Sequence, residues 1–244
     1  YRQVGANLLV YKSRDRWETD NIPNDGAVNT YGGIFPQRSA RYVILRDMDH
    51  GTLVMKPDLR LITTGSGYDQ LSVTGAVALG SATLAASLGY APAVHDTITV
   101  IANDGTEAVS GTFSGLAEGT ILQLGSYYFQ ISYVGGTGND VTLRCVQPPA
   151  IANTAVTGIS TNWATLTANL SSTGGLPTAV WLLSGETDAG AGWAGWKYTN
   201  ALGYQAAGAV GGVATGLMAE TVHYGRFYAS NLVSGVWATS ALVW

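Results

Sequence analysis

Short apolar segments broken by Gly or Asp follow one another through the middle of the chain, and many alternate apolar with polar residues. Such alternation is typical of strands that bury one face. Few stretches show the periodicity of an exposed amphipathic helix. The pattern therefore predicts an all-β protein. The strands predicted in this part of the chain are 52–55, 59–63, 70–74, 76–79, 83–88, 97–101, 120–122, 127–133 and 141–143.

The pattern also divides the chain into modules. Residues 1–50 are predicted to be an extension with isolated strands, 51–146 a β-solenoid or a sandwich-like module, and 150–244 an immunoglobulin-like β-sandwich. The spacing of the strands in the middle module does not distinguish a solenoid from a sandwich. A linker is predicted at 147–149 because its two prolines cannot continue a central ladder. The strands predicted in the last module are 152–156, 164–170, 179–183, 196–199, 204–210, 222–230 and 235–242.

The N-terminal extension contains two apolar stretches with strand character, 6–11 and 42–45. Unpaired backbone groups in an apolar strand are costly to bury, so each stretch must pair with its own domain or with a neighbouring subunit. For the first stretch we predict an assembly interface that completes the sheet edge of another copy of the chain. The predicted interface residues are Ala6, Leu8, Leu9, Val10 and Tyr11.

Two segments resemble known families. The string at 67–80, followed in order by motifs at 96–100, 109–116, 128–133 and 135–143, resembles the module found beside autotransporter-associated β-strand repeats in large bacterial surface proteins. This resemblance implies a secreted, surface-located, solenoid-like element without catalytic residues.

The run 226–231 resembles a fibronectin type III-like module of the kind appended to such proteins. That family places a tyrosine six positions after a leucine, and its hydroxyl closes a corner of the sandwich. This chain has Leu217 but carries His223 at the tyrosine position, with Tyr224 beside it. The chain therefore departs from the family pattern at this corner.

Charge excludes some partners and suggests another. The net charge of −4 disfavours nucleic acid, because neutralising phosphates needs a dense basic face. Residues 1–60 hold nine Lys/Arg against seven acids, and the remainder holds three against nine, so the two parts carry +2 and −6. Opposed charge suits head-to-tail association. No apolar run reaches the roughly 20 residues of a membrane helix, so no transmembrane segment is expected. The chain begins at Tyr1 without Met, as a mature secreted chain would.

Candidate catalytic chemistry is sparse, and we expect no enzyme and no cofactor. The three histidines, His50, His95 and His223, fall in different modules without metal-ligand spacing, and the single Cys145 excludes an internal disulfide. Two sets of acids, Asp47, Asp49 and Asp58 on the one hand and Glu186 and Asp188 on the other, lie in turn-like contexts where carboxylates cap the backbone. The string at 135–140 matches a calcium-binding nonapeptide and makes Asp140 a calcium candidate, with a hairpin turn as the default.

Tryptophans are concentrated in the last module, and Trp193 and Trp196 are assigned to the Gly-rich loop 188–195, where they are expected to be an exposed pair. The sequence leaves two interpretations of this loop, a ligand-binding patch and a contact with another protein. The leading hypothesis is an extracellular, self-assembling subunit of a filament, sheath or surface layer that associates with copies of itself by β-strand addition. The alternative is a cell-surface adhesin or carbohydrate-binding module that recognises an extracellular glycan through Trp193 and Trp196.

Overall fold

The computed structural model describes residues 70–73, 75–103 and 105–244 in full, and otherwise only the backbone of five short strands before residue 70. The described residues contain strands and turns and no helix, so the predicted all-β class is confirmed. In this described part there is accordingly no helix of the length and apolarity needed to cross a bilayer. The chain divides into two compact units, Tyr1–Cys145 and Val146–Trp244. The further boundary near residue 50 and the linker at 147–149 stay predictions.

The described part of unit 1 forms twelve strands. They are β1 (Arg2–Gln3), β2 (Leu9–Val10), β3 (Tyr42–Leu45), β4 (Thr52–Val54), β5 (Leu59–Ile62), β6 (Gln70–Val73), β7 (Ala76–Ala78), β8 (Leu84–Ser87), β9 (Thr97–Asn103), β10 (Ile121–Leu124), β11 (Tyr127–Gly135) and β12 (Asp140–Val146).

Parallel ladders organise most of unit 1. Strands β3, β4 and β5 pair in parallel with β6, β7 and β8 in the same order, and β6 pairs in parallel with β9. The chain thus returns to the same lateral position after each coil, as in a β-solenoid. Antiparallel strands then extend the sheet to the order β10-β11-β12-β9-β6-β3. The core between them is apolar, with Val77, Val100 and Phe129 fully buried.

The predicted N-terminal interface is only partly described. Of its residues, Leu9 and Val10 form β2, which pairs antiparallel with β1 in the same chain, with Arg2 opposite Val10. Ala6, Leu8 and Tyr11 lie outside the described residues. One edge of β2 therefore already has a partner within the chain.

Unit 2 contains eight strands in two sheets. They are β13 (Ala150–Ile159), β14 (Trp163–Ser172), β15 (Thr178–Gly185), β16 (Tyr198–Gln205), β17 (Gly208–Thr215), β18 (Tyr224–Ser230), β19 (Gly235–Trp237) and β20 (Leu242–Val243). One sheet has the order β13-β14-β17, and the other has the order β16-β15-β18-β19 with β20 also paired to β18. One apolar core contains residues of both sheets, among them Leu166 and Val210 of the first and Leu182 and Phe227 of the second. Unit 2 is therefore a β-sandwich.

Three predicted strands of unit 2 have the wrong bounds. The strand predicted at 235–242 joins β19 and β20, which are separate strands. The strand predicted at 204–210 spans the turn between β16 and β17, where Gly208 has a φ of 139° that other residues rarely adopt. The strand predicted at 196–199 covers only the start of β16. The pairing of β15 with β16 shifts register between Val180 and Trp181 of β15. Val180 is opposite Gly203 of β16, which has φ 73°. This bulge lies on the edge strand of the sheet, where such irregularities discourage pairing with another chain.

Candidate functional site

Three aromatic side chains form a row across neighbouring strands of unit 2. Trp181 of β15 is directly opposite Tyr228 of β18, and Tyr228 is directly opposite Trp237 of β19. Because Val180 and Leu182 point into the core, Trp181 between them points to the outer face of the sheet. Residues directly opposite each other share a face, so all three rings are on this outer side. Their centroids are 5.7 Å apart for Trp181 and Tyr228 and 4.8 Å apart for Tyr228 and Trp237.

Trp193 lies over this row. Its ring centroid is 5.0 Å from that of Tyr228 and 5.7 Å from those of both Trp181 and Trp237. The interplanar angles of 81°, 73° and 67° to Trp181, Tyr228 and Trp237 are those of edge-to-face contacts, which aromatic pairs prefer. Trp193 is 47% exposed, whereas the other three are half-buried. We call Trp181, Trp193, Tyr228 and Trp237 the aromatic patch.

The loop that carries Trp193 is fastened at both ends. Lys197 Nζ is 2.7 Å from Glu186 Oε1, so an ion pair joins the residues that flank the loop. The hydrogen bond from Lys197 holds the pKa of the Glu186 carboxyl below its ordinary value, and the same bond raises the pKa of Lys197. Within the loop, the Asp188 carboxylate accepts a hydrogen bond of 2.9 Å from the amide of Gly190. Both acids thus have the local roles typical of carboxylates in turns.

The sequence prediction was right for Trp193 and wrong for Trp196. Trp196 is 8% exposed, so it is buried and is not part of an exposed pair. The two tryptophans are three positions apart in the loop, and a loop that packs on a sheet must bury part of its own side chains. Trp196 is therefore unavailable to a ligand, while Trp193 remains accessible.

The row itself was missed by sequence reasoning, and a glycine helps to position it. A Cβ atom on Gly235 would collide with the hydroxyl and ring of Tyr228, so only glycine leaves Tyr228 its place beside Trp237. Gly235 is the first residue of β19 and pairs with Ser230. The aromatic residues 181, 228 and 237 are visible in the sequence, but their alignment depends on the pairing register.

The basic groups of unit 2 are either paired or buried. Unit 2 contains only two, Lys197 and Arg226, against three acids, Glu186, Asp188 and Glu220. Lys197 is paired with Glu186 as described, and Arg226 is buried and donates from Nη2 to the carbonyl oxygen of Thr239. Unit 2 therefore offers no free, accessible cationic group to a ligand at the aromatic patch.

A second aromatic contact in unit 2 is structural. His223 is buried, and its Nε2 lies 3.0 Å from the carbonyl oxygen and 3.2 Å from the amide nitrogen of Met218. It thus bonds back to the backbone five residues upstream, as the hydroxyl of a tyrosine corner does. Trp244 stacks on His223 at 5.8 Å, next to a cavity of about 280 Å³. The nitrogens His223 Nδ1 and Trp244 Nε1 are buried, so neither offers a ligand an accessible polar atom.

The calcium candidate Asp140 is held in a hairpin. Its Oδ1 accepts a hydrogen bond of 2.8 Å from the amide of Asn103, and its carboxylate fills the space beside Gly136, which has φ 52°. Across residues 70–73, 75–103 and 105–244, no group of three or more His, Cys, Asp or Glu is placed to hold a metal. The calcium assignment stays a prediction, and the hairpin explains the glycine-rich string at 135–140.

The remaining candidates are dispersed. His95 lies in a turn with φ 79°, and Cys145 is buried in the core of unit 1. His50, Asp47, Asp49 and Asp58 are outside the described residues. Of the described acids and histidines that were considered for catalysis, Glu186 and Asp188 share one loop, and His223 lies near Glu186 because Gly185 is opposite Tyr224.

Comparison with known proteins adds no relative: neither the protein-family models, nor the curated proteins, nor the solved structures contain a match to this chain.

Proposed function

We propose that this chain is part of an extracellular surface protein and binds glycans through the aromatic patch of its C-terminal sandwich. The observation that carries the proposal is the gathering of four aromatic rings on the outer face of one sheet, with Trp193 47% exposed. A contiguous apolar surface that faces solvent marks an interaction site. The C–H face of a pyranose ring packs on an aromatic ring and removes this surface from water.

The architecture supports the surface location in this proposal. Parallel coils in unit 1 suit the solenoid-like module that the sequence resembles. In unit 2, a three-stranded sheet faces one in which β18 lies between β15 and β19, which suits the fibronectin type III-like module. Secretion, surface exposure and the absence of catalysis follow from these resemblances and belong to the proposal.

A glycan array tests the proposal with two tryptophan variants of the full chain. Trp193→Ala removes the most exposed ring of the patch and is expected to lower the signal for bound glycans at least tenfold, as the loss of an aromatic anchor does. Trp163→Ala is the matched control, because Trp163 is 41% exposed but belongs to β14 of the other sheet. The control should bind like the wild type. A wild-type chain that binds no glycan, or equal losses in both variants, would overturn the proposal.

Strand pairing in unit 1 favours a second candidate function, the self-assembling subunit. Strands β3, β4 and β5 pair on one side with the next coil, and no described strand pairs with their other side. Open strand edges pair with other chains, and heterologous contacts of this kind propagate as fibres. Because β2 already pairs with β1 in the same chain, an exchange of residues 6–11 between subunits is less well supported.

Deleting residues 1–11 tests this candidate. If the stretch 6–11 completes another subunit, the truncated chain should fold and remain monomeric, whereas the intact chain should form polymers visible by electron microscopy. Polymers of undiminished length from the truncated chain would show that strand addition by this segment is not the cause of assembly.

A further inference from the structure

We infer that the aromatic patch selects neutral sugars on flexible glycan chains and discriminates against anionic sugars and flat crystalline polysaccharide. The inference rests on the proposed glycan-binding function and specifies its ligand class. Two independent features of the patch support it, the inclination of its rings and the engagement of the nearby charges.

Ring inclination argues against a flat ligand. A crystalline polysaccharide face needs aromatic rings that lie in one plane. Along the row, however, Tyr228 is inclined by 48° to Trp181 and by 50° to Trp237. Trp193 stands over the middle of the row at 67° to 81° to all three rings. Such an uneven surface fits a single sugar ring against one aromatic face and prevents close contact with an extended plane.

Charge argues against an anionic ligand. Recognition of a carboxylate or sulfate uses a free guanidinium or ammonium group, most effectively a bidentate arginine. Here Lys197 is paired with Glu186, and the Arg226 guanidinium is buried, with Nη2 bonded to Thr239 and Nε enclosed without a hydrogen-bond partner. Asp188 adds a further acid to the loop that carries Trp193, and it is exposed. An anionic sugar would therefore find no accessible cation of unit 2 and an exposed acid in the same loop, whereas a neutral sugar needs no cationic partner.

The test compares matched glycans on one array. The probes are neutral oligosaccharides, their sialylated and sulfated counterparts on the same scaffolds, and, in a parallel sedimentation assay, microcrystalline cellulose. The wild type is expected to bind at least one neutral oligosaccharide at least tenfold more strongly than its anionic counterparts, and to leave cellulose unbound. Trp193→Ala should lose the neutral signal, and Trp163→Ala should keep it.

The outcomes separate the inference from the function beneath it. Equal or stronger binding to sialylated or sulfated glycans, or sedimentation with cellulose, would overturn the ligand class while leaving glycan binding in place. The absence of binding to every probe would overturn both. In that case, analytical ultracentrifugation of the wild type and Trp193→Ala would show whether the patch is a contact between copies of the chain instead.

Discussion

The two faces of the β15–β18 pair differ in kind although they alternate along the same strands. On the inner face, Val180, Leu182 and Phe227 are at most 1% exposed and pack in the core of the sandwich. On the outer face, Trp181 and Tyr228 contact each other and Trp193, and they remain half-buried. Aliphatic packing inside excludes solvent, whereas the outer rings keep part of their surface accessible. The inner face therefore maintains the fold, and the outer face carries the rings that we propose for binding.

The largest effect is expected on the inner face. Phe227→Ala removes a fully buried ring and leaves a cavity, so the free energy of unfolding should fall by about 3–5 kcal/mol. Denaturant unfolding of the full chain, followed by tryptophan fluorescence, measures this loss. A loss below about 1 kcal/mol would mean that the inner face does not dominate stability, because surface substitutions typically cost less than that.

An intermediate effect is expected at Gly235, because a side chain there would disturb both the strand pairing and the position of Tyr228 in the aromatic patch. In Gly235→Ala the new Cβ collides with Tyr228, so ring or strand must shift at a cost of about 1–3 kcal/mol. The shift should also change the near-ultraviolet circular dichroism of the patch and weaken glycan binding. Gly211→Ala is the control, because the nearest atom to its added Cβ is 4.0 Å away. Unchanged spectra in Gly235→Ala would contradict the proposed placement of Tyr228.

The smallest effect is expected at the exposed ion pair of the loop. Glu186→Gln removes the partner of Lys197 and should lower the melting temperature less than Gly235→Ala does, since solvent screens such pairs. The folded-state pKa of Glu186 is lowered, so the stabilisation is present above the ordinary pKa of glutamate and disappears as pH falls through the lowered value. The wild type and variant should therefore differ at neutral pH and converge in acid. A difference that persists in acid would point to another cause.

Local sequence patterns predicted the positions of the strands better than the pairing between strands. The alternation at 70–74 and 97–101 predicted strands that exist as β6 and β9, but their parallel pairing joins residues 30 positions apart, Leu71 and Ile101. Nothing in a short window encodes that distance, and so solenoid and sandwich stayed open. The turn between β16 and β17 was missed because the apolar pattern of 204–210 hides the positive φ of Gly208.

The site was predictable only in part for the same reason. A tryptophan in a Gly-rich loop indicates exposure, and Trp193 is indeed exposed. The same signal fails for Trp196, because burial of a loop residue depends on what the loop packs against. The row of Trp181, Tyr228 and Trp237 comes from three separate strands, so it emerges only once the register is known.

Glycan binding by the aromatic patch is tested by nuclear magnetic resonance of the indole N–H groups during titration with the neutral oligosaccharide that gives the strongest array signal. Every tryptophan reports its own position. We expect the signals of Trp181, Trp193 and Trp237 to shift and those of Trp163, Trp196 and Trp244 to stay in place. Shifts centred on Trp163, or no shift at the three patch tryptophans at saturating sugar, would contradict glycan binding by the patch.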